Sequence, residues 1–195
     1  MVHRPNTSPS WSVRFARRLL LWIVPSAIVW LLITPVYNRF LTGAGERLVR
    51  LTERPAATRL YMSDDHFLLV TRSDYAAEKG HLYRIRVTDL HFNLILTGAL
   101  FLAIPGIPRG KRWENLGWAA LISIFFHLIL LFFFVKFVYA TQLGAWSAAH
   151  YGTFGRNFWG LGKHLLDLPF KFALPLILWA TFYYRDFAAH ARRGA

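Results

Sequence analysis

The sequence predicts a membrane protein, mainly α, with four transmembrane helices and a small extracytoplasmic α+β cap between helices 1 and 2. Of the 195 residues, 55% are hydrophobic and only 17% are charged, a composition too apolar for an ordinary soluble domain. Four apolar runs are separated by polar or basic segments. These runs approach the length of about 20 helical residues that crossing a hydrocarbon core requires.

The first apolar run follows a polar, basic segment at residues 1–18, which we expect to be a cytoplasmic N-terminus. Residues 19–37 form the first predicted span, TM1, and Pro25 should kink this helix without ending it. A secretory signal peptide is the competing interpretation. We reject it because the run exceeds the roughly 7 to 15 apolar residues of a signal core, and no small-x-small cleavage motif clearly follows.

The cap is predicted for residues 38–90, where the chain becomes polar. Apolar residues first recur there at spacings of one, three and four, which predicts an amphipathic surface helix that Pro55 ends. The apolar positions of this predicted helix are Phe40, Leu41, Ala44, Leu48 and Leu51.

The rest of the cap has the pattern of extended chain. Residues 58–62 and 67–72 predict two strands joined by a turn at 63–66, and alternation in residues 82–88 predicts a third strand. The turn sequence Asp64-Asp65-His66 superficially resembles a ligand cluster, but turn chemistry explains it better. A three-stranded cap of this size would be marginal alone, so we expect it to rest on the membrane helices.

The remaining segments follow from hydropathy and from the spacing of aromatic and basic residues. In chain order they are TM2 at 91–108, a basic turn at 109–112, TM3 at 117–140, an interfacial and partly helical aromatic/Gly loop at 141–164, TM4 at 165–184, and a cytoplasmic tail at 185–195.

Basic residues in the short flanks predict the orientation. The N-terminal segment carries four arginines, the turn after TM2 three basic residues and the tail three arginines, whereas the loop after TM3 carries only Arg156 and Lys163. This distribution favours cytoplasmic N- and C-termini in a bacterial inner (cytoplasmic) membrane, with a periplasmic cap. The long cap segment, with nine basic against seven acidic residues, argues the other way, but long loops translocate regardless of charge.

Four ionisable residues inside the predicted spans are the candidate functional residues, because burying such groups in lipid is costly. His127 lies near the middle of TM3, and Lys136 lies near its outer end, where its ammonium is expected to snorkel toward the headgroups. Asp167 and Lys171 lie four residues apart on TM4, so they are expected to pair. We assign all four as partner-binding or polar anchors.

Two other functions stay open. A small transporter or channel subunit would require His127, Lys136, Asp167 and Lys171 to converge on one inward face. A membrane hydrolase would require a nucleophile beside a base, and Ser123 lies one turn from His127. No spaced carboxylate pair, phosphate loop or nucleophile elbow is present, so no catalytic residue is assigned and we expect no enzyme.

Composition excludes further classes of site. Cysteine is absent, which removes disulfides and thiolate chemistry, and the eight histidines are scattered without metal-ligand spacing. We therefore expect no metal and no cofactor. The net charge of +13 would favour nucleic acid in a soluble protein, but these basic residues flank apolar segments, so the expected partner is membrane lipid.

The order of these parts resembles the small membrane proteins encoded beside exosortases, particularly the exosortase H-associated membrane proteins. One span, a helix and short strands precede the segment VTDLHFNLILTGALFLAIPG, a basic turn and a very apolar third span. The resemblance covers about residues 19–184, and its most characteristic motif lies at 91–106.

This resemblance implies an accessory role beside a membrane enzyme that processes secreted proteins bearing a C-terminal sorting signal. The chain is not that enzyme, because exosortases use a cysteine nucleophile and this sequence contains none. The partner implied is an exosortase or another envelope membrane protein. The apolar face of the cap strands and the aromatic stretch after TM3 are the expected docking surface.

Overall fold

The computed structural model describes residues 11–75 and 83–194, with side chains up to residue 186. Most of the predicted basic N-terminus, Leu82 of the third predicted strand and the side chains of the last nine tail residues lie outside this description. The helices are α1 (Trp11–Leu51), α2 (Thr88–His91), α3 (Asn93–Ala103), α4 (Arg109–Thr141), α5 (Ala145–His150), α6 (Thr153–Leu165) and α7 (Lys171–Gly194), and the strands are β1 (Thr58–Met62), β2 (Phe67–Arg72) and β3 (Tyr83–Arg86).

Helix α1 joins two elements that the sequence analysis separates, the first span and the amphipathic helix of the cap. Its 41 residues include Pro25 and Pro35 without interruption. A proline inside a helix removes one N–H donor and its ring crowds the preceding turn, at a cost of about 3 kcal/mol, but a helix held by tertiary packing can continue through it. At 1.5 Å per residue α1 is about 62 Å long, roughly twice the thickness of a hydrocarbon core. One end must therefore project beyond the bilayer.

The sheet is antiparallel with strand order β1-β2-β3. Leu60 pairs with Val70 and Leu68 pairs with Ile85, so these four residues lie on one face. That face is buried against the second half of α1 and the C-terminal third of α4, in a core completed by a further set of apolar side chains. These are Leu41, Val49, Val87, Leu90, Leu130, Leu131, Val135, Val138, Tyr139 and Leu143.

This packing corrects one expectation about docking. The apolar strand face was expected to contribute to a partner surface, but α1 and α4 already cover it. A sheet of three short strands needs such a covering to be stable, and the long helices supply it.

The β1–β2 turn has the chemistry that its sequence predicts. The Asp64 carboxylate accepts hydrogen bonds from the amides of His66 at 2.7 Å and Phe67 at 2.9 Å. These bonds, with the His66 amide foremost, hold the pKa of Asp64 below its usual value. Asp64 therefore organises the turn.

Among the residues that the structure describes, three helical stretches are long and apolar enough to cross a membrane: Trp11–Leu51, Arg109–Thr141 and Thr153–Asp186. The last includes α6, a π-helical turn at Leu166–Phe170 and most of α7. The predicted interfacial loop at 141–164 is thus largely helical, and its α6 portion continues into the next predicted span without a break.

The predicted TM2 differs most from expectation. Instead of one helix over 91–108, the chain forms α2 and α3, and this apolar stretch covers only Thr88–Ala103. Its 16 residues span about 24 Å, less than a typical hydrocarbon core. Helix α3 ends early because Pro105, Gly106 and Pro108 follow, with Gly106 at φ +83°.

Arginine side chains donate hydrogen bonds to the backbone carbonyls at and just after the end of α3. Arg112 donates to the carbonyls of Leu102 at 3.2 Å and Ile107 at 2.8 Å, and Arg18 donates to that of Ile104 at 3.5 Å. Carbonyls at a helix C-terminus have no partner within the helix and attract cations. The predicted basic turn therefore lies at the start of α4 and closes the end of α3.

Helix α6 packs on α4 through glycine. A Cβ atom placed on Gly162 would overlap the ring of Phe133, whereas one on Gly117 of α4 would meet nothing within 4 Å. We predict that Gly162→Ala lowers the free energy of unfolding in detergent by about 1 to 3 kcal/mol, because the aromatic ring must move. Gly117→Ala is the matched control and should be neutral or slightly stabilising. Equal thermal stability of the two variants would contradict the α4–α6 contact.

Candidate functional site

A partly to fully buried network of polar side chains joins α1, α2, α3, α4, the π-helical turn and α7 beneath the cap. We call it the junction network. Within the described chain it comprises Trp30, Tyr37, Asn38, Thr88, His91, Asn93, His127, Asp167 and Lys171.

His91 is held from two sides by residues of α1. The Trp30 indole donates to His91 Nδ1 at 3.0 Å, and His91 Nε2 lies 2.6 Å from Asn38 Oδ1. Because an indole can only donate, Nδ1 must be unprotonated, so the proton resides on Nε2 and is donated to Asn38. The Asn38 amide nitrogen in turn donates to the Asp65 carbonyl at 2.7 Å and the Thr88 hydroxyl at 3.3 Å. The cap turn is thereby tied to α1 and α2.

His127 of α4 is held in a similar way, between a residue of α3 and a residue of α1. Its Nε2 lies 2.9 Å from Asn93 Oδ1, and its Nδ1 lies 2.8 Å from the Tyr37 hydroxyl. The Asn93 amide nitrogen donates to the Lys171 carbonyl at 3.0 Å, which leaves Oδ1 as the acceptor for His127. The neutral His127 ring therefore donates through Nε2 and accepts from Tyr37.

The Lys171 carbonyl is available because of a proline. In a regular helix this carbonyl would accept from the amide of residue 175, but residue 175 is Pro175 and has no N–H. Asn93 supplies the missing donor from α3. A carbonyl freed by proline within lipid must find such a partner, which fixes α3 against α7.

Asp167 and Lys171 form the pair that their spacing predicts. Lys171 Nζ lies 2.6 Å from one Asp167 oxygen, and Lys163 Nζ lies 2.9 Å from the other. Lys171 also donates to the Asp89 carbonyl at 3.1 Å, which links α7 to α2. Asp167 lies in the π-helical turn, a local irregularity that often marks functional positions in helices.

The structure brings together three of the four candidate residues and separates the fourth. His127, Asp167 and Lys171 belong to one network through Asn93 and the Lys171 backbone. Lys136 lines a different cavity, beside the cap, and its side chain is not extended into open solvent. A transporter was expected to bring all four candidate residues together, and the structure brings together three of them, without Lys136.

Sequence reasoning missed the residues that complete the network. Tyr37, Asn38, His91 and Asn93 all lie at the ends of apolar runs, where polar side chains usually reach water. Each instead faces a polar partner in another element. The available signal was Pro175, which leaves one backbone carbonyl of its own apolar run without a donor and so requires a polar side chain such as Asn93 from another element.

The Ser123–His127 alternative gains no nucleophile–base contact. The buried Ser123 hydroxyl donates to the Ala119 carbonyl of its own helix at 2.8 Å, and His127 uses both ring nitrogens elsewhere. Within residues 11–75 and 83–186, no group of three or more His, Asp or Glu side chains could hold a metal ion. The hydrogen bonds of His127 connect α4 to α1 and α3 and do not activate Ser123.

These features define a class: a mainly helical membrane protein with a small sheet packed on its longest helices. A family model describing exosortase H-associated membrane proteins matches residues 10–186. The chain belongs to that family, which confirms the resemblance drawn from the sequence. Comparisons with curated proteins and with solved structures find no match.

Asn93 offers the sharpest test of the junction network. We predict that Asn93→Ala lowers the free energy of unfolding by about 1 to 3 kcal/mol, because it leaves the His127 N–H and the Lys171 carbonyl without partners. Asn157→Ala, at an exposed position of α6, is the control and should change stability by less than about 0.5 kcal/mol. Thermal unfolding in one detergent measures both, and equal effects would show that the network contributes nothing to stability.

Proposed function

We propose that this protein is a non-catalytic accessory subunit of an exosortase-type envelope protein-sorting system, acting in the bacterial inner membrane. The observation that carries the proposal is membership of the exosortase H-associated family over nearly the whole chain. The fold is compatible with it. The polar groups of the junction network form hydrogen bonds with one another, so the role we expect for this chain is binding to another protein.

The proposed topology has four crossings, with α2 and α3 together as the second. Support comes from the end of the bundle opposite the cap. Arg18 reaches the carbonyl of Ile104 after α3, and Lys111 pairs with Asp186 of α7 at 3.1 Å. These contacts gather the N-terminal part of α1, the α3–α4 turn and the late part of α7 at one basic end, where a cytoplasmic surface is expected.

This topology is testable with reporter fusions. Alkaline phosphatase fused after Arg72 should be active, because the cap is proposed to be periplasmic, and the same enzyme fused after Ala195 should be inactive. A green fluorescent reporter at the same two positions serves as the reciprocal control. The opposite pattern would invert the orientation, and two active phosphatase fusions would remove one of the four crossings.

The proposed docking surface is the aromatic stretch after α5, now located on α6. No residue of α6 is buried, and Phe154, Phe158 and Leu161 are 83%, 49% and 63% exposed. Phe154, Phe158 and Leu161 follow one another at spacings of four and three, so they form a single apolar stripe. We assign this stripe to contact with the exosortase-type partner at the outer face of the membrane, with Asp167, in the π-helical turn that follows α6, as a polar anchor.

Co-purification tests the partner and the surface together. Tagged protein, solubilised with exosortase H from the same cells, should retain the enzyme, and Phe154→Ala combined with Phe158→Ala should reduce recovery at least tenfold. Phe125→Ala combined with Leu32→Ala removes similarly exposed side chains from α4 and α1 and should leave recovery unchanged. No recovery with the unaltered chain would refute the association, whereas equal losses in both double variants would refute only the α6 surface.

A further inference from the structure

A second polar centre lies away from the junction network, between the cap and α4. We call it the Lys136 cavity. Its volume is about 480 Å³, and it opens between the end of α1, the end of β2, α4 and the α5–α6 segment. Its polar and aromatic lining includes Arg54, Arg72, Lys136, Trp146, His150 and Tyr151.

The carboxylates of this cavity are already engaged with Arg72. Glu53 lies 2.7 Å from Arg72 Nη1, and Asp74 accepts from Arg72 Nε and Nη2, each at 2.8 Å. The hydrogen bond from Arg72 holds the pKa of Asp74 below its usual value. The Arg72 guanidinium also lies 4.6 Å from the centre of the Trp146 ring. Arg72 and both acids therefore form a fixed unit with one more negative than positive charge.

Lys136 has no comparable partner. Its side chain is only 8% exposed, and among the described residues no carboxylate lies within 4 Å of its ammonium. The Lys136 ammonium lies 5.6 Å from the centre of the Phe132 ring. Glu53 attracts this ammonium only from beyond ion-pair distance, and a buried ammonium without an ion-pair partner is costly. With Lys136 included, the cavity lining has cationic groups at Arg54, Arg72 and Lys136 and anionic groups at Glu53 and Asp74, so positive charge is in excess.

We propose that the Lys136 cavity binds a phosphate group, with the Lys136 ammonium as its principal ligand. Arg54 and the Tyr151 hydroxyl add donors around the same space. A volume of 480 Å³ accommodates a phosphate with its substituent, and the Trp146 and Tyr151 rings are of the type that lies at the headgroup level of a bilayer. Two sources share this chemistry, an anionic lipid headgroup and free phosphate. The inference is independent of the exosortase partner.

The test measures the thermal stability of the purified full-length chain in nanodiscs. One arm compares phosphatidylcholine discs with discs containing phosphatidic acid, and the other adds inorganic phosphate to phosphatidylcholine discs, with chloride at equal ionic strength as the control. At a hundredfold excess over the dissociation constant, the unfolding midpoint should rise by about 5 to 10 °C. A rise in the first arm alone identifies a lipid headgroup, and a rise in both arms identifies phosphate from either source.

Variants assign any rise to Lys136. Lys136→Met should abolish the rise and should be at least as stable as the parent chain without phosphate, because it removes an unpaired buried charge. Lys136→Arg should preserve the rise. Lys111→Met makes the same substitution at an exposed ion pair and should respond like the parent chain. The absence of any rise in the parent chain, or an undiminished rise in Lys136→Met, would overturn the proposal.

Discussion

The hydrogen bonds of Asn93 are the constraint on which the arrangement of helices depends. One amide side chain meets His127 of α4 through its oxygen and the backbone of α7 through its nitrogen. Within a bilayer no water competes for these groups, so each polar atom that lacks a protein partner is costly. Helix α3 must therefore lie where both partners can be reached, and α4 and α7 are positioned relative to each other by the same side chain.

The same reasoning explains how a short helix can occupy the centre of the bundle. Helices α2 and α3 together are shorter than a hydrocarbon core, but they contact α1, α4 and α7 and are closed at both ends by side chains. Arginine side chains donate to the carbonyls of Leu102 and Ile104 at the end of α3, and the junction network satisfies the polar groups around His91. A helix enclosed by protein does not have to match the thickness of the lipid, because its ends meet polar side chains.

Local patterns predicted the elements better than the connections between them. The first two strands and the acidic turn follow from alternation and turn chemistry, which act over a few residues. The continuity of α1 through Pro35 could not be predicted, because packing of the sheet on the helix decides it. Asn38 and His91 are 53 residues apart, and no local pattern in the sequence indicates that they pair. The pairing of Asp167 with Lys171 was predictable because it lies within one helical turn.

The junction network and the Lys136 cavity differ in whether their polar groups have partners within the chain. This difference suggests a structural role for the first and a binding role for the second. In the junction network His91, Asn93 and His127 each find complementary groups within the chain, so a ligand there would have to displace an existing hydrogen bond. At Lys136 the chain supplies a buried cation and a cavity beside it, but among the described residues the nearby carboxylates of Glu53 and Asp74 pair with Arg72, and none lies within ion-pair distance of the ammonium. Replacing a satisfied group costs stability, whereas pairing an unsatisfied one gains it. Of the two centres, the cavity at the edge of the cap is therefore the one whose occupation by an outside molecule would stabilise the fold.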